Sequence, residues 1–190
     1  NALAGAADRR APISLRVNPD VDAKTHPYIA TGLKESKFGV AFAEAPALYR
    51  RAAALPHIDV QGIDCHIGSQ VTDLSVYVEA AEKVFDLVDR IERDGIALHH
   101  VDLGGGLGIR YRDEETIDAA AYAGAVRQAL GGRRHELLFE PGRFLVAEAG
   151  VLLTRVAYLK PGETHDYAIV DAAMNDLLRP ALYAAWHPIE

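Results

Sequence analysis

Cysteine is nearly absent from this chain: Cys65 is the single one among 190 residues. One thiol cannot build an intrachain disulfide framework, so a reducing, cytoplasmic setting is expected. Net positive charge is also lacking, with 20 Lys and Arg against 27 Asp and Glu. That balance excludes a surface made for nucleic acid or an anionic membrane, and leaves open a local basic site for a small anion. No apolar run approaches a membrane span, because the longest, residues 144–159, is broken by Glu148 and Arg155. A basic segment followed by an apolar one, the mark of a signal peptide, is missing. Missing too are His/Cys/carboxylate spacings that would hold a metal, a G-x-S-x-G elbow, and any internal repeat. The chain starts at Asn1 and ends on Pro188-Ile189-Glu190, straight after an apolar segment and without a polar tail. Both ends are expected to be cut.

What is present is an ordinary globular composition, 49% hydrophobic and 25% charged, able to bury a core. Residues 13–17 form a β-prone run stopped at Asn18-Pro19-Asp20. Residues 25–40 are polar, with Gly32 and Gly39, and read as a long loop. Residues 43–55 are alanine-rich and predict a helix that tolerates Pro46 in its first turn. The clearest helix runs from Thr72 to about Asp94. Val76, Ala80, Val84, Leu87, Val88 and Ile91 recur at helical spacing, Thr72 or Asp73 can cap it, and Gly95 ends it. A further helix spans roughly residues 117–130 and closes at Gly131-Gly132. Residues 151–158 and 167–170 read as strands around a Lys160-Pro161-Gly162 turn.

This alternation predicts an α/β fold: the C-terminal half of a (β/α)8 TIM-type barrel over residues 1–147, then the start of a β-rich domain over 148–190. A dinucleotide-binding doubly wound sheet is the competing fold. Gly104-Gly105-Gly106-Leu107-Gly108 does not follow its spaced glycine pattern, and no acidic residue follows at the expected place.

Three motifs each follow a β-prone run: His66-Ile67-Gly68-Ser69-Gln70, Gly104-Gly105-Gly106, and Glu140-Pro141-Gly142-Arg143. On one face of a parallel sheet, a hydroxyl, a triple glycine and a Gly-Arg pair could converge on a dianion. Consecutive glycines let a backbone approach an anion closely and offer it N–H groups; a tight strand-to-loop turn is the bland alternative. His66 could stack on a flat cofactor or be a hydrogen-bonded core residue. Glu140 ends an apolar run, where burying an unpaired carboxylate is costly. Its partner is either a protonated ring nitrogen or, in a plain ion pair, Arg143. Farther on, Pro180 suits a first helical turn, so Arg179 and Tyr183 could share a face and grip a carboxylate.

Six segments together resemble a known family. They are Leu15-Arg16-Val17-Asn18-Pro19, Thr31-Gly32 with Ser36-Lys37-Phe38-Gly39, His66–Gln70, Asp102–Gly108, Glu140–Arg143 and Met174–Tyr183. In this order they are similar to the alanine-racemase-like, pyridoxal-phosphate-dependent decarboxylases, and to their diaminopimelate branch over the ornithine and arginine branches. The resemblance implies a pyridoxal 5'-phosphate barrel followed by a β-domain, working as a homodimer that removes CO2 from meso-diaminopimelate to give L-lysine. It implies that His66 packs on the cofactor ring and that Ser69, Gly105, Gly106, Pro141, Gly142 and Arg143 surround the phosphate. Glu140 would keep the pyridine nitrogen protonated, and Arg143, Arg179 and Tyr183 would hold the substrate.

The chain also departs from that family. Its cofactor-bearing lysine belongs to a Tyr-x-x-Lys-Ala-type motif, which is absent here; the lysines present are Lys24, Lys34, Lys37, Lys83 and Lys160. The family's acid cysteine, an acidic substrate ligand and a cofactor-contacting tyrosine are not matched either, and Cys65 is not that cysteine. The 190 residues alone are therefore expected to be inactive. A related decarboxylase for another basic amino acid, and a non-catalytic homologue that binds a partner, are the alternatives. The phosphate motifs weigh against the second.

Overall fold

The computed structural model describes residues 1–22 and 37–190. Expectations that rest on Lys24, Thr31, Gly32, Lys34, Ser36 and most of the 25–40 loop lie outside the described residues. Two compact units emerge, one of residues 1–109 with 115–144, the other of 110–114 with 145–190. No helix among the described residues is long and apolar enough to cross a membrane.

The first unit begins with a short helix α1 (Ala2–Ala6) and strand β1 (Ala11–Asn18), followed by a two-residue strand β2 (Val40–Ala41) and helix α2 (Ala45–Ala53). Next come β3 (Ile58–Asp64), α3 (Leu74–Arg93), β4 (His100–Asp102), α4 (Ala119–Leu130), β5 (Glu136–Leu138) and the start of α5 (Gly142–Val146), whose last two residues are counted in the second unit. All strand pairs in this sheet are parallel, and β1, β3, β4 and β5 follow chain order. Helix α2 contacts α3, and α3 contacts α4, so the crossover helices stand side by side. A doubly wound sheet puts helices on both faces; here they form one layer.

The predicted helices form for the reasons read from the sequence. Asp73 caps α3 by accepting from the Ser75 N–H at 2.9 Å, and Asp118 caps α4 through the Ala121 N–H at 2.9 Å. Pro46 sits in the first turn of α2, where its missing N–H costs nothing. The apolar stripe of α3, including Val84, Phe85, Leu87, Val88 and Ile91, is buried in one core with Val17, Ile63 and Val101 of the sheet and with Leu103 just beyond β4. Each such side chain contributes about 1.5–3 kcal/mol on burial. Tyr49 of α2 donates to the Gly62 carbonyl at 2.7 Å, which fixes that helix to β3.

Helices α3 and α4 are joined beyond their apolar contacts. Arg133 donates to both carboxylate oxygens of Asp89 at 2.8 and 2.6 Å, and to the Ala129 and Leu130 carbonyls at 3.2 and 3.1 Å. One guanidinium thus satisfies the end of α4 and reaches α3. Its hydrogen bonds hold the Asp89 carboxyl below the usual carboxylate range.

The second unit contains β6 (Val156–Lys160), β7 (Tyr167–Val170) and α6 (Arg179–Tyr183), with β6 and β7 paired antiparallel. The strand expected over residues 151–158 is displaced: it starts at Val156 and includes Lys160, which was expected in the turn. Its partner decides this, because Val156 pairs with Val170 and Lys160 with Tyr167. At the end of the ladder Asp171 accepts from the Thr154 hydroxyl and the Arg155 N–H at 2.8 and 2.9 Å. Residues 151–153 have β propensity and no partner strand among the described residues, and propensity alone does not make a strand. Two short helices, α1 and α5, were not expected, and Val40 lies in a strand instead of the loop.

Candidate functional site

Successive residues of a strand point to opposite faces. On β1, β3 and β4 the helix-facing set is apolar, with Val17, Ile63 and Val101 in the core. The other set carries Ser14, Arg16, Gly62, Asp64, His100 and Asp102, so this parallel sheet has one polar face. Register stacks these residues in rows: Ser14 beside Gly62 beside His100, and Arg16 beside Asp64 beside Asp102. The Ser14 hydroxyl meets His100 Nε2 at 2.8 Å across the intervening strand. Gly62 makes that reach possible, since a Cβ there would overlap the His100 ring.

Asp64 lies between charges of both signs. Burial raises its pKa first, Asp102 adds to the rise, and Arg16 opposes it. Sequence reasoning missed this polar row. The signal was there, as polar residues at every second position of strands whose alternate positions are apolar.

The strand-end loops stand just beyond the row. Asp102 accepts from the Gly104 N–H at 2.7 Å, which turns the chain into the glycines. Gly105 N–H donates to His66 Nδ1 at 3.2 Å. Used as an acceptor, Nδ1 leaves the proton of the neutral ring on Nε2. His66 is held neutral, because burial and then Arg16 lower its pKa more than Asp102 raises it.

Each glycine abuts a different neighbour. A Cβ on Gly104 would press on the Cys65 carbonyl and His66, one on Gly105 on the Glu140 carbonyl, and one on Gly106 on the Gly68 carbonyl. Gly104 and Gly106 also have positive φ, +70° and +96°. Close packing of loops thus accounts for all three glycines, and the Gly104 and Gly105 N–H groups are spent on protein partners. Val71 N–H donates to the Gly106 carbonyl and Gly108 N–H to the Val71 carbonyl, both at 2.9 Å. Glu140 N–H donates to the Gly104 carbonyl at 2.8 Å. The three motifs singled out in the sequence therefore meet.

One expectation needs correction, and one of the two alternatives for the Glu140 carboxylate is not formed. Glu140 is exposed rather than buried, because the apolar run before it is only three residues of strand and Phe139 is itself 40% exposed. No ion pair joins Glu140 to Arg143; the guanidinium donates instead to Gln70 Oε1 at 3.2 Å. Gly142 has open space around its Cβ position, and its N–H donates to the Glu140 carbonyl at 2.8 Å. Among the described residues, the half-buried Ser69 hydroxyl makes no hydrogen bond. Arg179 and Tyr183 lie in the second unit, where the Arg179 guanidinium stands 5.2 Å from the Tyr183 ring centre. The shared helical face expected of them is present.

Cys65 is 2% exposed, and burial, followed by Asp102 and Asp64, pushes its thiol up to about 12. A thiol so protonated is a poor nucleophile. Native protein is expected to leave Cys65 unlabelled by a thiol reagent until denaturant is added, as read by site-resolved mass spectrometry. Rapid labelling of the native state would contradict this.

Residues 2–147 match the family model described as pyridoxal-dependent decarboxylase, pyridoxal binding domain. The chain belongs to that family. It is 62% identical over 95% of its length to a diaminopimelate decarboxylase of Pseudomonas aeruginosa, and covers 44% of that protein. With the Neisseria meningitidis enzyme of the same name (serogroup A strain) the identity is 58% over 99% of this chain and 46% of the relative. Among solved structures, Helicobacter pylori diaminopimelate decarboxylase complexed with L-lysine superposes with a TM-score of 0.94. The identity there is 44%, over 98% of this chain and 47% of that one. This family member thus spans a little under half the length of the curated relatives it matches. Pyridoxal dependence is a property of the family, and the parallel α/β sheet matches the barrel domain of its solved members.

Proposed function

We propose that this chain is the central part of a diaminopimelate decarboxylase, removing CO2 from meso-2,6-diaminopimelate to give L-lysine. The identity to the Pseudomonas relative carries this reading. The lysine complexes of the Helicobacter pylori and m. jannaschii relatives agree with the product. In this reading residues 1–147 are the C-terminal half of a (β/α)8 barrel and 148–190 begin a β-domain. Its support is the single helix layer, the polar sheet face that a barrel would enclose, and the change to antiparallel pairing at β6 and β7. The working enzyme would be a homodimer of the complete chain.

The residues fit pyridoxal 5'-phosphate by their chemistry: a hydroxyl without a partner among the described residues, a guanidinium, a neutral imidazole and an exposed carboxylate on adjoining loops. When bound, the cofactor supplies a protonated pyridine ring that withdraws electrons from the substrate's α-carbon. His66, kept neutral and oriented by Gly105, offers its flat face to that ring. Ser69, Gly105, Gly106, Pro141, Gly142 and Arg143 form the phosphate cradle. Of these the Ser69 hydroxyl and the Arg143 guanidinium contribute donors, while Gly105 and Gly106 supply the close approach of loops. Glu140 holds a proton at the ring nitrogen. Arg143, Arg179 and Tyr183 hold the substrate, with Arg179 and Tyr183 on its non-reacting end.

The test is CO2 release by the complete enzyme over a panel of diaminopimelate, lysine, ornithine, arginine and carboxylated polyamines. Only diaminopimelate is expected to turn over. Efficient turnover of another member would move the chain to a sister activity. A charge-assisted bidentate contact is worth about 1.5–3 kcal/mol, so Arg179→Ala is expected to raise KM for diaminopimelate by roughly 10- to 100-fold. An unchanged KM would remove Arg179 from the site.

A further inference from the structure

Gln70 closes the His66–Gln70 motif, and none of the roles above uses it. Its backbone lies in the left-handed region at φ +62°, where glycine is the ordinary choice and a long side chain is unusual. Its amide has a specific use. Nε2 donates to the Ile109 carbonyl, and Oε1 accepts from the Ile109 N–H at 3.2 Å. Oε1 also accepts from Arg143 Nη1 at 3.2 Å. Two donors meet one end of the amide and one acceptor meets the other, so the orientation of the group is determined by its partners.

One side chain therefore ties together the loops after β3, β4 and β5. The backbone pairs between Val71 and the Gly106–Gly108 segment already join the first two of these loops. What Gln70 adds is the third loop. Among the described residues its Oε1 is the one hydrogen-bond acceptor on the Arg143 guanidinium, since no ion pair or other bond is made there. An arginine has a long, freely rotating stem and grips an anion well only when its planar head is already aimed.

We propose that Gln70 is a positioning residue that aims the Arg143 guanidinium at the anionic group it binds, while using a neutral acceptor that leaves the positive charge undiminished. The proposal rests on the reading that Arg143 grips an anion of the ligand, either the cofactor phosphate or a substrate carboxylate. A carboxylate in place of the Gln70 amide would compete with that anion for the charge; an amide does not.

The test uses the complete enzyme with Gln70→Asn. Asparagine tolerates the left-handed backbone, so the loop is kept, while the amide is one methylene too short to reach both Ile109 and Arg143. Losing the aim of one charged contact is expected to cost about tenfold in affinity. That loss appears in the KM for diaminopimelate if the anion is a carboxylate, or in the dissociation constant of pyridoxal phosphate if it is the phosphate. Turnover at saturation is expected to stay within about twofold, since no group is lost from the reacting atoms.

Arg143→Ala alone should raise the same constant, and Gln70→Asn should add nothing in that background. Additive effects, or a Gln70→Asn enzyme with both constants unchanged while Arg143→Ala weakens one, would overturn the proposal and leave the role of Arg143 standing. If Arg143→Ala itself changes neither constant, the underlying reading of Arg143 fails instead. Equal melting temperatures of the Gln70→Asn and parent enzymes are expected, and a large fall would assign Gln70 to loop stability instead.

Discussion

Glu140→Gln in the complete decarboxylase is expected to lower kcat by about 100-fold or more, roughly 3 kcal/mol of transition-state stabilisation, with cofactor affinity changed by less than about threefold. The substitution removes a charge and little else. Glutamine has the same shape, and the Glu140 backbone is held independently of its side chain, by its N–H on the Gly104 carbonyl and by packing against Gly105. No ion pair with Arg143 is lost, and the side chain is exposed, so a fold penalty within about 0.5 kcal/mol is expected. In the role proposed for Glu140, what changes is the ability to keep a proton on the pyridine nitrogen, which matters when charge develops on the substrate's α-carbon. An interaction of that kind lowers kcat and kcat/KM together. Single-turnover decarboxylation and a cofactor titration of the variant check the two halves. Near-normal turnover with a loosened cofactor would make Glu140 a structural ligand.

Much of this arrangement was legible in the residues, and what was not has a physical cause. The stripe from Val76 to Ile91 announced α3 because a helix buries one face at a period of 3.6, and Asp73 and Gly95 marked its ends. The three strand-end motifs were visible because glycine, serine and arginine are unusual directly after apolar runs. Long-range pairing was hidden. Where β6 begins depends on Tyr167–Val170 and on Asp171, and no local propensity encodes that choice.

Burial was also hidden. Glu140 follows Leu137, Leu138 and Phe139, which suggested an interior position, yet Leu137 and Leu138 are half-buried and Phe139 is exposed. The partner that sequence offered Arg143 was Glu140, and only the fold brings the neutral Gln70 to it instead. The polar face was missed for a different reason. Ser14, Arg16, Asp64, His100 and Asp102 are separated by long stretches of chain, and only register brings them into rows.

The glycines illustrate the same point and lead to the second large effect. An anion-binding backbone and a crowded backbone both call for glycine, and sequence cannot tell them apart. The structure separates them position by position. Gly105→Ala is expected to destabilise the protein by about 3 kcal/mol or more, beyond the usual range for overpacking. The new Cβ would overlap the Glu140 carbonyl oxygen, which is backbone and cannot swing aside as a flexible side chain would. Glu140 is itself tied to Gly104 at 2.8 Å, and Leu103 N–H to the Leu138 carbonyl at 3.1 Å, so the two loops cannot separate without breaking these bonds. Because φ at Gly105 is not positive, the cost is steric and not conformational.

Gly142→Ala serves as the control, since nothing lies within 4 Å of its Cβ position and alanine suits the α5 helix that it begins. It is expected to match the parent in stability within about 1 kcal/mol. Denaturant midpoints of the two variants test the contrast, and stability should fall only in Gly105→Ala, where the Glu140 backbone is displaced. Equal stability in both variants would mean that the loops are loose enough to absorb a methyl group, and the close packing of Gly105 against Glu140 would no longer explain the triple glycine.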